Sequence, residues 1–393
     1  MLSIRKGLVI LLLLMLPVAC IEPYLPAGID HEPVLFIQAL ITDNPDIQPY
    51  VQLANTRPLF NNTEQTEDYI QTTGAFVFIR TENGSEYWFY ESLTMTGKYV
   101  PASPFPQLEE GSWYQLVVIT AEGYRLESEH EYYLSSPPID SITHRAVAET
   151  VIEGQRIEQG YRFYVHTTAS GPEINYYRWA LDYTYRYFVP YQGDYMWTGT
   201  RRVDSTSYNY TFCYMDGVDN GIYVGSTAGF SPNRIAGAPL NFVSQYGDYL
   251  RLRYSLHAYQ YRISQNAFNF WFNLRKMMYE TGGLYETQPF RLRGNIHCVS
   301  HSDINVTGIF EVAGVSEKRV FVSQPLEFPT YSDLVCKADT IGRSTAYPQW
   351  SAVPAGSYLM DLGDGIFMTA PNECFDCRLK GGYLATPSFW ESK

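Results

Sequence analysis

Tyr176-Tyr-Arg-Trp-Ala-Leu-Asp-Tyr-Thr-Tyr-Arg-Tyr-Phe188 has a two-residue repeat: Tyr177, Trp179, Leu181, Tyr183, Tyr185 and Tyr187 fall on one side, Arg178, Asp182 and Arg186 on the other. Side chains of an extended chain point to opposite faces in turn, so this stretch reads as a long β-strand with one face buried and one in water. The pattern recurs elsewhere. Leu250, Leu252, Tyr254 and Leu256 alternate with Arg251, Arg253 and Ser255, and further strands are predicted near Tyr161–Thr168, Val306–Val312 and Arg319–Val322. Aromatic residues make up 16% of the 393, led by 34 tyrosines, a composition that favours strands over helices.

Towards the N-terminus, strand-like runs are Val34–Thr42, Ala75–Thr81, Ser85–Tyr90, Trp113–Ala121 and Tyr124–Tyr132, with turn signals at Asn83-Gly84 and Glu122-Gly123. In the last run Tyr124, Leu126 and Tyr132 share one face, while Arg125, Glu127, Glu129 and Glu131 share the other. Ser135-Ser136-Pro137-Pro138 then interrupts the chain, because neither proline can donate to a ladder. From Ser264 to Thr281 the repeat becomes helical, with Ala267, Phe270, Trp271, Leu274, Met277 and Met278 on one face, Ser264 as cap and Gly282-Gly283 as stop. The expected architecture is mainly β. An N-terminal immunoglobulin-like β-sandwich over 34–136 precedes a larger β-sandwich-like domain over 137–393, with one inserted amphipathic helix near 264–281 and a disulfide-tied tail.

Residues 1–19 read as a signal peptide: Arg5 and Lys6 precede an apolar run, Leu8 to Leu16, too short to span a bilayer. Leu16-Pro17-Val18-Ala19-Cys20 places a small residue before a cysteine, so Cys20 is the expected lipidation site and 20–33 a lipidated spacer. Pro17 stands where such signals place leucine, and a cleaved signal with an unmodified cysteine is the alternative. Acyl chains at Cys20 would hold the body firmly on a membrane. Without residues 1–19 the chain keeps 26 basic residues (28 less Arg5 and Lys6) against 41 acidic ones, a formal charge of −15, and nucleic acid is not expected as a partner.

Five cysteines remain: Cys213, Cys298, Cys336, Cys374 and Cys377, all disulfide candidates and enough for at most two bridges. Cys374 and Cys377 have the spacing of a redox pair, but that motif opens a helix in a βαβ unit, and here it lies in a terminal segment flanked by Pro and Gly. A structural bridge from Cys336 to Cys374 or Cys377 is expected instead, contributing about 3 kcal/mol, with Phe389 and Trp390 packing back onto the body. A local Cys374–Cys377 bridge is the competing arrangement.

Motifs for chemistry are lacking. Gly225-Ser226-Thr227-Ala228-Gly229 does not place serine at the centre of a hydrolase elbow, and no phosphate loop or zinc-protease motif is present, so no catalytic residue is assigned. His297-Cys298-x-x-His301 has metal-ligand types but no helix to present them, and Asp216-x-x-Asp219-Asn220-Gly221 and Asp361-x-x-Asp364-Gly365 do not match a calcium loop. Solvated turns are the expectation for both, with no metal and no cofactor. Tyr176 to Tyr214 concentrates tyrosine, and Tyr191, Tyr195 and Trp197, read as turn residues, are the candidate contacts for a ligand or partner.

Several segments together resemble a known family: Cys20-Ile-Glu-Pro, Gly283-Leu-Tyr-Glu-Thr-Gln-Pro, Arg293-Gly-Asn-Ile-His-Cys298, Gly308-Ile-Phe-Glu-Val-Ala, Glu317-Lys-Arg-Val-Phe, Cys374-Phe-Asp-Cys-Arg-Leu-Lys-Gly-Gly-Tyr and Pro387-Ser-Phe-Trp390. The chain is similar to the domain-of-unknown-function family numbered 4249, lipoproteins of Bacteroidota. The resemblance implies no reaction and no catalytic residues. It implies an outer-membrane lipoprotein, of a kind often encoded beside a TonB-dependent receptor with a carboxypeptidase-like domain. The leading expectation is therefore a non-catalytic accessory or binding subunit, lipid-anchored at the outer membrane with its body towards the cell surface, the periplasmic face being the alternative, and partnered by an outer-membrane β-barrel. The alternatives are a free-standing surface module that binds glycan or peptide, and an unrecognised hydrolase.

Overall fold

A computed structural model describes residues 34–56, 69–151, 156–169, 171–200, 202–204, 210–229, 233–279, 292–324, 326–342 and 348–390. The expected signal peptide (1–19), Cys20, the spacer (20–33) and the Gly282-Gly283 helix stop lie outside them. The chain before Pro137 contributes β1 (Leu35–Thr42), β2 (Tyr50–Thr56), β3 (Tyr69–Gln71), β4 (Phe76–Thr81), β5 (Glu86–Glu91), β6 (Lys98–Pro101), β7 (Trp113–Ile119), β8 (Arg125–Ser128) and β9 (Glu131–Tyr132). The Asn83-Gly84 signal makes the β4–β5 hairpin: Gly84 takes a φ of +84° and the Asn83 side chain accepts from the Ser85 amide at 3.0 Å.

The next stretch holds β10 (Ser141–Val151), β11 (Arg156–Thr168), β12 (Tyr176–Phe188), β13 (Tyr195–Trp197), β14 (Arg202–Asp204), β15 (Phe212–Ser226), β16 (Arg234–Ser244) and β17 (Arg253–Ile263), then α1 (Gln265–Tyr279), β18 (Ile296–Cys298) and β19 (Val306–Ser323). The tail adds β20 (Asp339–Ile341), α2 (Pro348–Ser351), β21 (Ser357–Gly363) and β22 (Ile366–Thr369). The fold is mainly β, with large sheets and one long helix. Ser264 caps α1 as its sequence predicts, its hydroxyl accepting from the Ala267 amide at 3.2 Å.

Strands of both halves share one ladder of 14, in the order β15-β12-β17-β19-β1-β2-β6-β5-β4-β7-β8-β18 with β3 and β9 alongside. The ladder crosses the proline pair. β1 pairs in parallel with β19, Leu35 opposite Val306 through Thr42 opposite Ala313, and β18 pairs with β8. Ile296, Phe310 and Val312 thereby join Ile37, Leu53, Val77, Leu116 and Leu126 in the core of the N-terminal unit. Close approach of the backbones explains two glycines: Gly308 has a φ of +135° and a Cβ there would lie 1.9 Å from the Ile37 carbonyl oxygen, while one on Gly294 would meet Gly308.

In the second half a three-stranded sheet, β10-β11-β16, lies across the β15-β12-β17-β19 part of the long ladder. Phe163, Val165, Leu240 and Val243 meet Tyr177, Trp179, Leu181, Tyr254 and Leu256 in one buried cluster, a sandwich core. Gln260 ties the two layers: it accepts from Trp179 Nε1 at 3.0 Å and Thr167 Oγ1 at 2.6 Å, and donates to the Pro137 carbonyl at 2.9 Å.

Four details depart from the sequence reading. The predicted strand Tyr124–Tyr132 is broken between β8 and β9, and the break shifts the alternation by one, burying Glu131 at 2% exposure and leaving Tyr132 at 55%. At the break the Glu129 amide donates to the Asn295 carbonyl at 2.7 Å. The runs 306–312 and 319–322 form one strand, β19, because β1 pairs its first part and β17 its second. Asp216 to Gly221 lies within β15 rather than in a turn, its length matched by β12. Leu250 and Leu252 precede β17 instead of belonging to it.

Candidate binding groove on the C-terminal sheet

The tail strands β20, β21 and β22 join β13 and β14 in a five-stranded sheet of order β14-β13-β21-β22-β20. Residues far apart in sequence meet here, since β13 pairs with β21 and puts Trp197 opposite Ser357 and Tyr195 opposite Leu359. The β21–β22 hairpin closes through Gly363, Asp364 and Gly365, all at positive φ, with Asp364 at +52° the sole non-glycine so placed among the described residues. Asp361 fixes the turn, accepting from the Gly363 amide at 2.8 Å. Across the sheet, α2 presents Trp350.

These elements enclose a groove of about 1030 Å³ lined by Tyr195, Trp197, Arg202, Trp350, Asp361, Asp364 and Phe367, among others. The rings form a continuous wall: Trp197 to Trp350 at 4.8 Å between centroids, Trp350 to Phe367 at 5.8 Å, Phe367 to Tyr195 at 6.0 Å. The Arg202 guanidinium lies 4.2 Å from the Phe367 ring centre, a cation–π contact that holds a planar donor at the edge of the wall. The Trp197 indole N–H is buried and meets no acceptor among the described residues.

The candidate contacts divide. Tyr195 and Trp197 line the groove, but in strand β13 rather than in turns. Tyr191 is half-buried outside the groove: it packs 5.5 Å from Phe375, its amide donates to the Cys374 carbonyl at 3.1 Å and its hydroxyl to that of Cys336 at 3.4 Å. Arg202, Trp350, Asp361, Asp364 and Phe367 were not singled out as contacts by sequence, although Asp361 and Asp364 belong to an Asp/Gly turn signal. No local pattern links residue 197 to 350; only the pairing of β13 with β21 does.

Two disulfides secure the tail. Cys336 is bonded to Cys374, 38 residues away, and Cys213 to Cys377, 164 residues away, so neither tail cysteine bonds the other. Cys298 is a free thiol at the end of β18. Between the two bridged cysteines Asp376 receives both Nε and Nη2 of Arg378, at 3.0 and 2.7 Å, a two-pronged ion pair that pins the turn. Trp390 is buried against Tyr214 and Phe321, and Phe389 lies under the Arg319 guanidinium at 3.6 Å. Of the other clusters, His297 faces Glu129 at 3.4 Å and His301 faces Ser300 at 3.1 Å, while Asp219 accepts from the Gly221 amide and the Tyr223 hydroxyl. Among the described residues no three potential ligands converge on a metal position.

Residues 21–319 match the model of a family described as a domain of unknown function, DUF4249. The chain belongs to that family. No curated protein matches it. The DUF4249 span includes Tyr195, Trp197 and Arg202 from the groove, whereas Trp350, Asp361, Asp364, Phe367 and both tail cysteines lie beyond it. Several residues that carried the resemblance sit where the two halves join: Gly294 and Gly308 at the β1–β19 crossing, and Asn295, whose side chain donates to the Phe310 carbonyl and accepts from the Phe310 amide, both at 2.9 Å.

Proposed function

We propose that the protein is a non-catalytic, lipid-anchored accessory protein of the outer membrane that holds a ligand in the groove of its C-terminal sheet, in partnership with a β-barrel of the TonB-dependent receptor type. The observation that carries the binding part is the aromatic wall of Tyr195, Trp197, Trp350 and Phe367 flanked by Arg202, Asp361 and Asp364. Flat aromatic faces take the C–H faces of a sugar ring, and planar charged groups at the rim suit paired hydroxyls, so a glycan fits better than a peptide. Capture by an anchored body would raise the ligand's concentration at the barrel mouth.

Affinity electrophoresis through gels containing soluble β-glucan, α-glucan, xylan or mucin tests the groove. Retardation by one of these polymers is expected, and Trp350→Ala should weaken it at least tenfold, the loss of about 1.4 kcal/mol or more; migration unchanged in every gel sinks the glycan reading. Partnership is tested by pull-down in mild detergent, where repeated absence of a stoichiometric barrel counts against it. The same observation favours a second reading, a free-standing glycan-binding surface module, which retardation without a barrel partner would support. For the anchor, Cys20→Ala should leave the protein soluble in lipid-free buffer without detergent and remove the acyl mass from its N-terminal peptide; a wild-type peptide without that mass defeats it.

A further inference from the structure

One end of the N-terminal unit gathers exposed apolar side chains. The register fixes which end. Leu35 opens β1 opposite Asn55, Gly97 bonds to Leu53 two residues before it, and the β5–β6 turn therefore lies on the side where the chain enters the fold. β4 begins there with Phe76, opposite Ile119, and β5 finishes there with Tyr90 and Glu91. In this turn Leu93 is 104% exposed and Met95 56%, and beside it stand Phe76 at 64% and Tyr90 at 59%. Trp88 follows one rung up, 4.8 Å from Phe78. Further along the same strands the outward residues become charged, with Arg80 paired to Glu86. Single exposed apolar residues need no explanation, but a contiguous group at one pole does.

The chain supplies the occupant. Cys20 precedes Val34, the first described residue, by 14 positions, a tether reaching at most about 50 Å when extended. The lipid end must therefore lie within that reach of this pole. Tyr and Trp with Leu and Met, backed by charged residues farther from the pole, match the composition of a membrane–water interface. β19 meanwhile carries the chain from this pole to the second half: its 18 residues span roughly 60 Å at ~3.3 Å each.

We infer that this pole rests on the bilayer, with Leu93, Met95, Phe76 and Tyr90 in the headgroup layer, so that the protein stands on the membrane with its second half outward. The inference rests on the lipid anchor at Cys20, and the experiment separates the two. Acylated protein, with its acyl mass verified, is reconstituted in vesicles of phosphatidylethanolamine and phosphatidylglycerol carrying brominated chains, which quench tryptophan on contact. Leu93→Trp adds a reporter at the pole, and Leu362→Trp adds one at the groove hairpin. Quenching of the added emission at 93 and not at 362 is expected; equal quenching, or none at 93, overturns the inference while leaving the anchor intact. The unlipidated Cys20→Ala chain gives an independent reading. It should float with these vesicles at millimolar lipid, and Leu93→Asp with Met95→Asp should reduce the bound fraction at least tenfold. No flotation of that chain overturns the inference, and loss of dimerisation or of barrel binding on the same substitutions with no effect on vesicle contact would show that protein covers this pole instead of lipid.

Discussion

Glu131 is the residue whose position in the fold is least expected from its type. It is buried at 2% exposure, and the Asn295 side chain donates to Oε1 at 2.7 Å. Burial pushes its carboxyl up to about 7, against hydrogen bonds from Ser264 and Asn295 that lower it. The folded state thus holds a proton that the unfolded chain releases near pH 4.5. By linkage, stability should fall as pH rises from about 4.5 to about 7 and then level off, by up to roughly 3 kcal/mol for a shift of this size. Glu131→Gln keeps the bond to Asn295 without the charge, so it should remove this slope and raise the melting temperature at pH 8. Thermal melts of both proteins between pH 5 and 8 check it, and parallel curves would refute it. Alternation in the sequence places Glu131 outside with Glu127 and Glu129. Nothing local signals the break after β8, because its cause is Asn295, 164 residues away.

At the scale of elements, α1 was legible because its signals are local: apolar spacing, a serine cap and Lys276 in the last turn. What fastens it was not. Arg178 of β12 has a side chain only 14% exposed, although alternation put it on the solvent face, since α1 lies over that face. Its guanidinium makes two bonds of 3.0 Å to Glu311 of β19, with Tyr261 at 4.3 Å and Trp271 at 5.1 Å from ring centres. Trp271 of the helix donates its indole N–H to the same carboxylate at 2.9 Å. Helix, β12 and β19 therefore share one buried charge pair. Replacing the whole pair by apolar groups can be neutral, but removing one partner strands the other, so Glu311→Ala should destabilise the protein by about 3–5 kcal/mol. Denaturant melts measure this, and hydrogen exchange should show α1 losing protection first. A loss below about 1 kcal/mol would mean that Arg178 finds water or another partner, and that the pair does not hold the helix.

At the scale of the whole molecule, strand identities follow from alternation and turn residues, whereas strand order does not, and the order decides what can fold alone. The segment before Pro137 reads as a unit of suitable size, with its own hairpins. Yet its ladder is flanked by β19 on one side and β18 on the other, both supplied by chain after residue 290. Without them β1 and β8 become open edges, prone to pair with other chains. The core also loses Ile296, Phe310 and Val312, at 3%, 0% and 2% exposure. Vacating space filled by a large buried side chain costs about 2–5 kcal/mol each, so the three together approach the roughly 5–15 kcal/mol that holds a typical domain folded. A fragment of residues 21–136 should therefore not fold by itself, and the intact chain should lose both halves in one thermal transition, since β19 is shared between them. Calorimetry of the full protein and amide NMR of the fragment check this together. A dispersed spectrum from the fragment would show that β1 to β9 suffice, and that β18 and β19 dock onto a core already formed.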